Sequence, residues 1–144
     1  MPTASKSVQV TKIDSPDYDQ LKPNEAHGRV RVAYFQFTTL ATGGADGDSY
    51  ALCEIPAGAR ILDIKSANEA LGASVVAKIG ITGTLDKYGS AKDLAAAGAD
   101  TYAQTYAENY GVELTVLERL IMTLTGAAPA ASKIVRGHVL YVLD

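Results

Sequence analysis

With 144 residues, 47% of them hydrophobic, the chain is the size of one globular domain and too apolar to stay disordered. Thirteen basic against 16 acidic residues, a net charge of -3, argue against a general nucleic-acid binder, which needs a basic surplus to displace phosphate counterions. Cys53 is the single cysteine, so no intrachain disulfide forms. No signal-length apolar core opens the sequence and no run approaches the roughly 20 apolar residues of a membrane helix, so a soluble, cytosol-made protein is expected.

Residues 1–28 are polar and punctuated by Pro16, Pro23 and Gly28 around the run DSPDYDQLKPNEAHG, and they read as an extended arm. Val8, Val10 and Ile13 have the spacing of a short strand there. The domain proper is expected over 29–144. RVRVAYFQFTTL (29–40) is β-branched and aromatic, with Val30, Val32 and Tyr34 on one side and Ala33, Phe35 and Phe37 on the other. Both faces of this strand are therefore expected to be covered over part of its length. ATGGADGDS is a turn, and YALCEI (50–55) is the next strand. Pro56 and Gly58 in IPAGARI have the chemistry of a tight turn, which predicts a hairpin, with Leu62 and Ile64 inward beyond it.

SVVAKIGI (74–81) alternates Val75, Ala77, Ile79 and Ile81 on one side. SAKDLAAAG (90–98) has a Ser90 cap, Asp93 three residues on and Gly98 at its end, which predicts a helix of at most two turns. TYAQTYAENYG spaces Tyr102, Tyr106 and Tyr110 by four, on one side of either a strand or a helix. VELTVLERLIMTLTG is strand-rich with a break near 117–119, and KIVRGHVLYVLD closes the chain as a strand. Seven to nine short strands in one domain predict an all-β sandwich, with a jelly roll the preferred topology.

Reactive constellations are scarce. His27, His138 and Cys53 are too scattered to supply a zinc site. Cys53 sits in an apolar strand with no base beside it, so an inert thiol is expected. Asp46 and Asp48 lack calcium-loop spacing, Gly80 and Gly83 lack the helix start of a phosphate cradle, and Glu113 and Glu118 lack a feature that raises one pKa. No catalytic residue, metal or cofactor is assigned. The tyrosines attract more interest, because tyrosine buries large area at low entropic cost and is enriched at interfaces, although packing within the monomer is the competing role. Candidate contact residues are Val8, Val10, Ile13, Tyr18, Tyr102, Tyr106 and Tyr110.

Taken together, TGGADGDSYALCEIPAGARILDI, SVVAKIGI, AKDLAAAGAD and LIMTLTGAAPAASKIVRGHVLYVLD resemble the head decoration (cement) proteins of tailed bacteriophages over residues 29–143. The resemblance implies a jelly-roll virion protein, without catalytic residues, that sits on the capsid exterior. There it bridges major capsid subunits against the pressure of packed DNA. It also implies self-association as dimer or trimer, with no direct nucleic acid or membrane partner. Two other readings compete: a carbohydrate- or receptor-binding jelly-roll module of a head fibre or tail with a tyrosine platform, and a cupin-like metalloenzyme, which the P-A-G-A-R corner superficially invites but whose histidine cluster is missing.

Overall fold

The computed structural model describes residues 29–102 and 109–143. The arm, with Val8, Val10, Ile13 and Tyr18, and also Tyr106, lie outside the described residues. Among the described residues there are eight strands and no helix: β1 (Arg29–Thr38), β2 (Ser49–Ile55), β3 (Arg60–Asn68), β4 (Val76–Ile81), β5 (Thr84–Asp93), β6 (Gly98–Thr101), β7 (Glu118–Thr125) and β8 (Ile134–Leu143). They form two antiparallel four-stranded sheets, ordered β1-β8-β3-β6 and β2-β7-β4-β5. The fold is an all-β sandwich.

Alternation builds the layer between the sheets. Leu120, Met122 and Leu124 of β7, Ala77 and Ile79 of β4, and Val135 and Val139 of β8 are all fully buried in one cluster. Burying each such aliphatic chain stabilises the fold by about 1.5–3 kcal/mol before entropy is counted. Tyr88 and Tyr102 add the two largest side chains to that interior.

Four expectations are corrected. Residues 90–98 form no helix: β5 continues to Asp93, and the chain bends through 94–97 into β6. Leu94 is fully buried and its amide donates to the Val75 carbonyl at 2.9 Å, while Asp93 Oδ1 accepts from the Ala95 amide at 2.8 Å. A helix this short is unfavourable on its own, and tertiary burial outweighs the alanine-rich propensity. The Pro-Ala-Gly corner is no hairpin either, since β2 pairs with β7 while β3 pairs with β6 and β8. It carries the chain from one sheet to the other. Pro56 is the first residue of its turn, its carbonyl accepting from the Ala59 amide at 3.3 Å, and Gly58 is the third with φ +85°.

The third correction concerns phase. The register of β3 against β8 slips between Ile61 and Asp63, so Leu62 sits in a bulge and Ile61 and Ile64 both point inward, fully buried. Simple alternation put Leu62 inward and Ile61 outward. Finally, the described residues cover β1 on one face alone. Phe35 is buried, whereas Val30, Val32 and Tyr34 are 62%, 43% and 79% exposed.

Candidate functional site

The polar groups with chemical potential are mostly occupied in holding the fold. Lys87 Nζ and the Tyr88 hydroxyl each donate to a different oxygen of buried Glu118. They reach it because Ile79–Ile81 of β4 opposes the longer stretch Thr84–Gly89, a bulge that swings β5 past the end of β4 toward β7. Burial, followed by the Glu118 contact, raises the Tyr88 pKa above the phenol range. Glu113 pairs with Arg60 at 3.1 Å, which secures the β6–β7 connection against the Pro-Ala-Gly corner. Glu113 and Glu118 thus have separate structural partners.

In the glycine-rich loop, Asp48 Oδ2 accepts from the Ala45 amide at 2.8 Å and Asp46 Oδ1 from the Gly126 amide at 3.0 Å. Asp48 thus closes the loop on itself, and Asp46 ties it to the turn after β7. Cys53 is half-buried, and burial pushes its thiol up to about 11, far from a reactive thiolate. Among the described residues no group of three or more His, Cys, Asp or Glu side chains is placed to hold a metal ion.

Tyr102 and Tyr110, the two members of the tyrosine row among the described residues, differ in exposure. Tyr102 is fully buried, its hydroxyl accepting from Ser66 Oγ at 3.3 Å and its ring lying against Gly89. It therefore joins β3 of one sheet to β5 of the other and presents nothing to a partner. Tyr110 is 47% exposed in the β6–β7 connection, in which Val112, Val116 and Leu117 are exposed as well. Four-residue spacing places residues on one side within regular structure alone, and β6 ends at Thr101.

The surface that sequence reasoning missed is the outer face of the β1-β8-β3-β6 sheet. Cross-strand register aligns Val32 with Leu140 and Asp63, then Tyr34 with His138, Lys65 and Thr101, then Gln36 with Arg136, Ala67 and Ala99. Tyr34 packs edge-on to the His138 ring, centroids 6.2 Å apart. Beside them a shallow trough is lined by Tyr34, Lys65, Ala67, Ala99, Arg136 and His138. Ala67 and Ala99 face each other, so the floor is low, while taller side chains make the walls. The signal was present in RVRVAY: valines and a tyrosine on the side of an edge strand that none of the described residues covers.

No protein-family model matches the chain, and no curated protein matches it. Solved structures do. A chain of the cyanophage Pam1 capsid asymmetric unit is similar over 100% of both chains, with TM-score 0.67 and 21% identity. A chain of the Ralstonia phage GP4 capsid is similar over 81% of this chain and 86% of its own, with TM-score 0.66 and 20% identity. A third lies in the acidic stable capsid of Helicobacter pylori bacteriophage KHP30, covering 82% of this chain and 90% of its own, with TM-score 0.59 and 17% identity. At these identities the likeness is one of fold.

Proposed function

We propose that the protein is a virion structural protein of a tailed bacteriophage. It binds the outer surface of the capsid and bridges major capsid subunits, acting by binding without turnover. The observation that carries the reading is the end-to-end structural likeness to a chain of a phage capsid asymmetric unit, joined by two further capsid structures. The strand order supports a jelly roll: every connection except β4–β5 passes from one sheet to the other, giving 1-8-3-6 facing 2-7-4-5. The outer face of the β1 sheet, apolar along Val30, Val32 and Tyr34, is the contact surface in this reading. Residues 2–26 supply a second contact by reaching to a capsid subunit or another copy. Weak contacts engaged together bind far more tightly than either alone. Self-association as dimer or trimer follows from symmetric shell sites.

The test is reconstitution. Purified protein added to heads that lack it should co-sediment with them and raise their disruption temperature. Deleting residues 2–26, or replacing Val32 and Tyr34 with serine, should lower occupancy at least tenfold while the isolated domain keeps its β circular dichroism. Full-occupancy binding by both variants would refute the contact surfaces, and failure of the intact chain to bind any head would refute the role.

A further inference from the structure

We infer that the edge of β1 turned away from β8 pairs with the same edge of a second copy, antiparallel across a two-fold axis through Ala33. Hydrogen-bond parity fixes what that edge offers. The Thr39 amide donates to the Lys133 carbonyl at 2.8 Å, and Thr38 stands opposite Ile134, so Thr39 and Lys133 form a hydrogen-bonded pair. Such pairs alternate along an antiparallel ladder, so Arg31, Ala33, Phe35 and Phe37 direct their backbone groups to β8. Val30, Val32, Tyr34 and Gln36 therefore turn theirs away from it. The phase agrees on the far side of β8, where the Ile134 carbonyl accepts from the Glu69 amide at 3.0 Å.

Among the described residues, β1 and β6 are the edges of one sheet and β2 and β5 those of the other. Three of these edges are blunted. β6 has four residues, and the register of β2 slips between Ala51 and Cys53. β5 slips twice against β4 and carries Asp86, Lys87, Lys92 and Asp93. Short length, bulges and charge are what keep an edge from accepting another strand. β1 has none of the first two: its 10 residues hold register with β8 from Arg29 to Thr38. Its charges, Arg29 and Arg31, are confined to its start.

A second copy fits this edge because the edge is self-complementary. With Ala33 opposite the partner's Ala33, Val32 faces the partner's Tyr34 and Val30 faces the partner's Gln36. The axis repeats each pair, and aromatic against β-branched is a favourable cross-strand match. Arg31 then faces the partner's Phe35 and Arg29 the partner's Phe37, so no like charges stand opposite. The outward backbone groups of Val30, Val32, Tyr34 and Gln36 meet as hydrogen-bonded pairs, and two sheets merge into one of eight strands. The outer face of that sheet stays open to a capsid. The inference names the partner in the self-association of the virion reading and rests on that reading for its purpose, while its test uses the free protein, so either can fail alone.

In a Cys53→Ser background, Ala33→Cys should give a disulfide-linked dimer on air oxidation. A non-hydrogen-bonded pair sets its Cα atoms about 4.5 Å apart, within disulfide reach. The link should form faster than with Tyr34→Cys, although Tyr34 is 79% exposed, because in this register Tyr34 is offset from its own counterpart. Val32→Pro removes an amide that β8 does not use, so β circular dichroism should persist. Sedimentation equilibrium should show its dimerisation weakened roughly tenfold, since the axis makes the change twice. Faster linking through Tyr34→Cys would overturn the proposed pairing. So would an intact chain that stays monomeric at its highest soluble concentration, or a Val32→Pro dimer as tight as that of the intact chain.

Discussion

Tyr102 shows what a single side chain does in this sandwich. Its hydroxyl touches Ser66 and its ring rests on Gly89, where an added Cβ would stand 2.6 Å from the ring. Gly89→Ala should therefore cost about 1–3 kcal/mol, read as a lower urea midpoint at unchanged slope. Burial, opposed by the Ser66 hydrogen bond and helped by the charge of Asp100, raises the Tyr102 pKa to about 12. The unfolded tyrosine loses its proton near its ordinary value of about 10, so between these pH values the unfolded state binds fewer protons and stability falls as pH rises. The urea midpoint should hold below about pH 9, where the Cys53 thiol held up to about 11 begins to add to the effect, and decline toward pH 12, with the decline reduced in Tyr102→Phe. Tyr88, Tyr50 and Cys53, all shifted up chiefly by burial, contribute to the same decline. Removing its partner with Glu118→Ala leaves Lys87 and a buried hydroxyl unpaired, and should destabilise by about 1–3 kcal/mol in thermal melts.

At the scale of elements, legibility followed local rules and stopped where distant ones took over. Strands β4, β7 and β8 were readable because alternation of Val, Ile, Leu and Met is written in adjacent residues. The bulge at Leu62 was not, since one extra residue in β3 is set by its pairing with β8 far along the chain. The Pro-Ala-Gly turn was visible, but whether two strands joined by a turn share a sheet is decided by their other neighbours. The exposed side of β1 escaped for the same reason, and with it the candidate surface. Gly58, at φ +85° and with nothing nearer to an added Cβ than Leu143 at 3.7 Å, has room but not conformation for a side chain. Gly58→Ala should cost about 1–2 kcal/mol through the backbone alone. Tyr34→Ser, by contrast, should move stability by less than about 0.5 kcal/mol while, on the proposed function, weakening co-sedimentation with heads.

For the whole molecule, β1 has one ladder partner among the described residues, and that partner is β8, with Arg29 opposite Leu143. The earliest strand of the sandwich to leave a ribosome therefore waits for the latest before it can zip up, its valines and Phe35 meanwhile bare to the surroundings. Among the described strands, only β4 and β5 are consecutive in sequence and paired in one sheet. Refolding from urea should consequently be slow for a domain of this size, on the order of milliseconds to seconds, and prone to aggregate at high concentration. Truncation within β8 should abolish it altogether, leaving a chain that turns insoluble when denaturant is diluted.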